Sequence, residues 1–287
     1  MAAPERLSRT VIDAHSHIGE LPGYAFYDLE EPVKPTVYDF PGRSEYVGHM
    51  DRLGVERALV LPNYGVPDQG HPFSLNAVVL DAVGAVDRLR GGLWVSFLPQ
   101  NKEMTLEALR HAGEDGIVAL KTTFLLGGTP NPEEWDDETA EIVDACFDAA
   151  EEHDLVFHFH TSPGGSSDIS NFIPLVERYG RRVKIHLVHF GGGVSGHIRL
   201  VPKFLDWVEQ GYRVYTDTTW SVGFGARWLM TEIENRGVGQ DRVLFASDEP
   251  WSDFWGEYHK IVGAPVGDEL KERILHTNFE ELYGHTW

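Results

Sequence analysis

Asp13, His15 and His17 stand at alternate positions in the stretch TVIDAHSHIGE, residues 10–20. Alternate residues of a strand project from one face, so the three side chains are expected to converge on a buried strand begun by Thr10, Val11 and Ile12. Two imidazoles fixed side by side make either a satisfied polar pair in a core or a metal site. Farther along, Lys121, His158, His160, His189, Asp217 and Asp248 each lie at the end of another apolar run. A divalent ion such as zinc takes three or four N/O ligands at about 2.0–2.2 Å, with one position open to water in a catalytic site. His15 and His17 supply two ligands, His160 and Asp248 can supply two more, and His189 stands ready to hold a second ion or exchange protons with substrate. A plain core reading would bury this whole polar set together, at a high cost in desolvation.

The elements that must position these residues repeat one unit: a short apolar strand, a loop bearing Gly or Pro, and an amphipathic helix. After the first strand come VERALVLPN (55–63), RGGLWVSFLPQ (90–100), GIVALKTTF (116–124), LVFHFHTSP (155–163), RVKIHLVHFGG (182–192), YRVYTDTTW (212–220) and RVLFASDEPW (242–251). Helical segments such as SEYVGHMDRLG and DETAEIVDACFDAAEEHD alternate with them. Near-continuous apolar strands separated by helices predict a parallel sheet covered on its outside. Eight such units predict a single (β/α)8 TIM barrel spanning residues 1–287. In that fold chemistry collects at the C-terminal ends of the strands, which is where the polar residues fall.

Composition narrows the partners. Lys and Arg total 24 against 45 Asp and Glu, a net charge of −21 that leaves no basic stripe for nucleic acid or an anionic membrane. The acidic residues are spread along helical segments and read as a solvated surface. Cys146 is the single cysteine, so no intrachain disulfide forms, and its apolar helical setting assigns it to the core. The N-terminal residues carry no apolar signal segment and no run of eighteen apolar residues occurs, which predicts a cytoplasmic protein.

The segments VIDAHSHIG, FHFHTSPG, KIHLVHFGGG, VLFASDEPW and ILHTNFEELYG, taken in order, resemble the successive motifs of the amidohydrolase superfamily. The resemblance runs from residue 11 to about residue 284 and is strongest to the amidohydrolase-related branch of compact metal-dependent barrels. It implies metal binding by His15, His17, His160 and Asp248, with His189 as a catalytic or second-metal residue. The family pattern selects His160 over His158, which shares its face and is expected to support it from behind; Asp13 is expected to do the same for the His15/His17 pair. His186, three residues before His189, is expected to face the other way and pack. The His15/His17 pair comes too early for the β-sandwich that many hydantoinase-like members carry, so a barrel without a separate sandwich domain is implied. Some members carbamylate a strand-four lysine to bridge two metals; Lys121 is read here as a partner for a substrate anion or as one half of an ion pair.

The resemblance therefore implies an enzyme of small molecules that holds one or two divalent ions, Zn2+ or Mn2+, and forms a homodimer as barrels of the branch often do. Metal-activated water would hydrolyse an amide, cyclic amide or lactone, with Asp248 moving the proton. The alternative is non-oxidative decarboxylation of an aromatic or unsaturated acid. Retention of both histidines of the pair tilts the expectation to hydrolysis. Trp220 and Trp251 are expected to line the substrate cleft, together with Phe254 and Trp255 and a lid containing Tyr24, Phe26, Tyr27, Tyr38 and Phe40. His197 and Arg199, just after FGGG, are positioned to meet a carboxylate. FGGGVSG lacks the order of a phosphate loop, so its glycines are read as letting the backbone pass close to the pocket.

Overall fold

The computed structural model describes residues 7–20, 40–63, 72–221 and 224–284. Eight strands follow one another around the sheet: β1 (Ile12–Ile18), β2 (Arg57–Pro62), β3 (Leu89–Trp94), β4 (Ile117–Thr122), β5 (Val156–His160), β6 (Lys184–Val188), β7 (Val214–Asp217) and β8 (Val243–Leu244). Every neighbouring pair is parallel. β8 is only two residues long, yet the chain beyond it keeps bonding to β1. Ala14 donates its N–H to Phe245 O at 2.9 Å, Asp248 to His15 O at 2.8 Å, and His17 to Glu249 O at 2.7 Å. These bonds close the sheet into the expected barrel.

Helices α1 (Arg43–Leu53), α2 (Asn76–Ala85), α3 (Lys102–Leu109), α4 (Asp137–Glu152), α5 (Ile169–Tyr179), α6 (Gly193–Glu209), α7 (Gly225–Arg236) and α8 (Phe254–Val262) cover the outside. α4 shows why the sequence folds this way. Asp136 caps it by accepting from Thr139 N, and Ile142, Val143, Cys146, Phe147 and Ala150 form one buried stripe. That stripe packs on the outward residues of β5 and β6, such as Phe157, Phe159 and Ile185, in the main apolar core. A second, smaller core of Ile12, Ala14, Leu59, Leu61, Ala119, Val156 and Leu244 fills the barrel. The C-terminal helix α10 (Asn278–Tyr283) plugs it, adding Phe279 and Leu282 to the same cluster, while Leu270 of α9 (Asp268–Glu272) joins the main core.

Two local departures from strand geometry decide which side chains enter the barrel. The pairing of β1 with β2 shifts register between Asp13 and Ser16. A bulge of this kind breaks strict alternation, so the expected convergence of Asp13 with His15 and His17 does not occur. Asp13 instead accepts from Ser247 and from the His15 N–H. Ser16 turns to Tyr46 of α1, with 2.5 Å between the hydroxyls. At β6, His189 lies past the strand end with φ +68. Counting strand parity through that left-handed residue fails, and His186 points into the barrel instead of outward as expected. No helix among the described residues is long and apolar enough to cross a membrane.

Candidate metal centre

The C-terminal ends of β1 and β8 bring His15, His17 and Asp248 into mutual contact. His15 Nε2 and His17 Nε2 are 3.0 Å apart, and Asp248 Oδ1 lies 3.3 Å from the first and 3.1 Å from the second. His189 Nε2 is 3.9 Å from Asp248 Oδ2, and His15, His189 and Asp248 together present one donor atom each within 4.8 Å of one another. Donor atoms bound to one cation at about 2.0–2.1 Å stand roughly 3 Å apart, so the spacing fits a divalent ion. All four side chains are buried.

Burial favours the neutral form, which a metal requires, at His15, His160 and His189. Burial pushes His15 well below the ordinary histidine range, with the Lys121 ammonium adding to the effect. Burial depresses His160 and His189 as well. A neutral ring offers a lone pair, and a protonated one does not. Orientation is set from behind: the His17 Nδ1 atom lies 3.0 Å from Pro62 O, and the His189 Nδ1 atom 2.7 Å from the Thr219 hydroxyl. A carbonyl oxygen only accepts, so His17 carries a proton on Nδ1, and Nε2 is the nitrogen it turns toward the cluster.

Asp217, at the end of β7, organises the layer beneath. It accepts from the His189 and Thr219 backbone N–H groups and bonds His186 Nε2 at 2.9 Å. Burial alone would raise its carboxyl, but the contacts with His186, His189 and Thr219 hold it well below the usual carboxylate range. His186 in turn packs on His158, their ring centroids 4.3 Å apart. His158 Nε2 lies 2.7 Å from the Tyr283 hydroxyl of α10. His158 therefore belongs to this deeper layer, its ring 6.1 Å from that of His15. His160 sits higher, at the rim, with its ring 4.7 Å from His189.

Lys121 comes up from β4, fully buried, with Nζ 3.5 Å from His15 Nε2. Burial lowers its pKa to about 8 against the opposing pull of Asp248 and Asp217. Trp220, half exposed and held at φ +55, donates its indole N–H to Asp248 Oδ2 at 2.5 Å. Trp251 is farther out and donates to Asn63 Oδ1 at the end of β2. Of the expected lid, Phe40 is buried against Tyr46 and His49 of α1; Tyr24, Phe26, Tyr27 and Tyr38 lie outside the described residues. Phe254 is buried in the main core, with Trp255 packed against it.

The expectations for Arg199, His197, the FGGG glycines and Asp13 are corrected. Arg199 does meet a carboxylate, but it is that of Asp168, the cap of α5, with contacts of 2.7 and 2.8 Å. His197 is buried, its Nδ1 2.8 Å from Phe190 O and its ring stacked on Phe190. The glycines of FGGG chiefly let the loop after β6 pass over the loop after β5. A Cβ on Gly192, which has φ +54, would stand 2.7 Å from Ser162 Cα. Asp13, expected behind the imidazoles, is pushed up to about 8 by burial and reaches His15 only through the backbone.

The donor cluster, spaced as one cation would require, stands at the C-terminal mouth of a parallel (β/α)8 barrel. The chain belongs to the amidohydrolase family, whose model (Amidohydrolase) matches residues 12–285. No curated protein matches it by sequence. Among solved structures it is similar to a protein of Acinetobacter baumannii described as a probable 2-pyrone-4,6-dicarboxylic acid hydrolase, with citric acid bound. That match has 15% identity and a TM-score of 0.64, covering 96% of this chain and 100% of the other. The 5-carboxyvanillate decarboxylase of Sphingomonas paucimobilis matches at 15% identity and TM-score 0.65, covering 96% and 99%. The 2,6-dihydroxybenzoate decarboxylase of Rhizobium matches at 15% identity and TM-score 0.62, covering 96% and 98%.

Proposed function

We propose that this protein is a metal-dependent, non-oxidative decarboxylase of a small aromatic or unsaturated carboxylic acid. The observation that carries the metal dependence is the contact of His15, His17 and Asp248 donor atoms at 3.0–3.3 Å. These three would hold Zn2+ or Mn2+, with His160 or His189 completing the set. The choice of an acid as substrate is supported by Lys121, a buried amine beside that cluster suited to a carboxylate. The similar structures favour decarboxylation: two of the three named above are decarboxylases of substituted aromatic acids, and the third is described as acting on a pyrone dicarboxylic acid.

A divalent ion in this cluster would supply Lewis acidity toward substrate oxygens. The chain's own groups do the rest. Lys121 pairs with the substrate's negative charge, and the flat indole of Trp220 borders the ring. Asp248, steadied by the Trp220 N–H, gives a proton to the ring carbon as its bond to the carboxylate breaks. The electron pair of that bond stays on the carbon, CO2 leaves, and solvent returns a proton to Asp248.

The second reading is hydrolysis of a lactone or amide of similar shape. It is favoured by the intact His15/His17 pair, with Asp248 taking a proton from water instead of giving one to carbon. The two are separated by running the Zn2+- or Mn2+-loaded enzyme in D2O against aromatic acids, unsaturated acids and lactones. Decarboxylation releases CO2 and leaves one deuterium on the carbon that bore the carboxylate. A product that gains the elements of water with no CO2 assigns the hydrolase instead.

A further inference from the structure

A second buried polar network lies outside the barrel wall, between β1, α1 and the chain that follows β8. Its centre is His49 of α1, whose Nε2 is 2.5 Å from Glu249 Oε2, with both residues 2% exposed. Arg52 Nη2 approaches the other ring nitrogen of His49 at 3.3 Å. A guanidinium has no acceptor, so it donates to Nδ1, which leaves the proton of His49 on Nε2, aimed at Glu249. The direction of the buried bond is thereby fixed.

Glu249 follows Asp248 directly, and its carbonyl accepts the N–H of His17 at 2.7 Å. On the other side of Asp248, Ser247 is bound by Asp13, which accepts from its N–H at 2.9 Å and from its hydroxyl at 2.5 Å. The Ser247 hydroxyl oxygen also accepts from Glu249 N at 3.1 Å. Asp248 itself has φ +54, a conformation an L-residue with a side chain holds only when its surroundings impose it. Its two flanking residues are tied down by side chains that touch no donor atom of the metal centre.

We propose that His49 and Glu249 are positioning residues for the metal centre. Their bond anchors the peptide that carries Asp248 to α1 and sets that carboxylate in register with His17. This rests on the metal reading of the cluster. The wall between barrel and helix is usually apolar, and a buried hydrogen bond to a carboxylate adds little to stability there because desolvation offsets its attraction. Holding a strained backbone residue at fixed distance from its co-ligand is a role that apolar packing cannot direct.

Cobalt(II) titration tests this, with affinity read by competition against a chelator and geometry read from the visible absorption of the bound ion. Glu249→Ala and His49→Leu are expected to weaken cobalt binding about tenfold or more, the range typical of groups that orient metal ligands, and to alter the absorption. Glu249→Gln retains an acceptor for the His49 N–H and should stay within about threefold of the natural protein. If Glu249→Ala and His49→Leu fail to fold, Glu249→Asp, whose shorter side chain withdraws the carboxylate from His49, carries the test: about tenfold weaker binding supports the role and wild-type affinity and spectrum overturn it. Phe147→Leu, a core change far from this network, should lower thermal stability without moving the cobalt spectrum. Wild-type affinity and spectrum in folded His49→Leu or Glu249→Ala would overturn the positioning role alone, as would a Glu249→Gln defect as large as that of Glu249→Ala. A natural protein that takes up no cobalt, zinc or manganese would remove the metal reading itself, and this inference with it.

Discussion

The indole N–H of Trp220 meets Asp248 Oδ2 at 2.5 Å, across the gap between the loops that follow β7 and β8. Asp248 thus has one oxygen turned to the two histidines of β1 and the other engaged by an aromatic residue that is half exposed at the barrel mouth. In the proposed mechanism that carboxylate divides between holding a metal and moving a proton, and Trp220 touches the side assigned to the proton.

Removing that donor separates the two duties. Trp220→Phe keeps the ring and loses the N–H. A hydrogen bond to a charged group contributes about 1.5–3 kcal/mol. The expected outcome is a fall in kcat of roughly 10- to 100-fold with metal content unchanged, checked by steady-state kinetics and elemental analysis of the same preparation.

In the proposed metal centre, His160 and His189 are the two candidates to complete the ligand set. The sequence motifs assign the ligand role to His160, while the tight donor group contains His189. His15→Ala and Asp248→Ala are both expected to abolish tight metal binding. Of His160→Ala and His189→Ala, the one that lowers metal content is the ligand, and the one that keeps the metal but loses turnover is the group that meets substrate. Loss of metal in both assigns each a ligand role.

Lys121 is expected to act on substrate charge. Lys121→Gln keeps polarity on a slightly shorter chain without the positive charge, and should raise KM for a carboxylate substrate about tenfold. Neutral lactones or amides, if turned over at all, should be affected far less. An equal loss for charged and neutral substrates would instead place Lys121 in support of His15, 3.5 Å away.

Asp168 gives the stability of the barrel a pH dependence away from the active site. It caps α5 through Ser170 N at 3.0 Å, bonds Gly164 N at 3.0 Å, and meets Arg199. Burial opposes its ionisation, but the Ser170, Arg199 and Gly164 contacts prevail and lower its pKa. A carboxyl depressed in the fold stabilises above its unfolded pKa of about 3.9, and that contribution is lost as pH falls through the folded value. Asp168→Ala should therefore cost about 1 kcal/mol at pH 7, mainly from the lost cap because Arg199 is half exposed. The difference from the natural protein should shrink below about pH 4. Urea unfolding of both proteins at pH 7 and pH 3 checks the sign.

The barrel was legible because its signal is local and repeated. Apolar runs such as LVFHFH, followed by stripes such as Ile142, Val143, Cys146 and Phe147, specify strand and covering helix without reference to distant residues. The clustering of His, Lys and Asp at strand ends was equally visible, since parallel strands deliver all their C-terminal ends to one mouth.

What the sequence by itself determined was therefore the order of the elements and the chemical inventory at their ends. Only the tertiary structure decided which members of that inventory meet. The bulge in β1 turned Asp13 away from His15, and the left-handed backbone at His189 turned that side chain inward above His186, which already faces Asp217 from within β6. His49 and Glu249, 200 residues apart, carry no motif that pairs them. Side-chain parity holds only while the backbone stays in the β region, and His189, Trp220 and Asp248 lie where it leaves that region. There, direction is set by contacts between distant segments, which residue spacing does not encode.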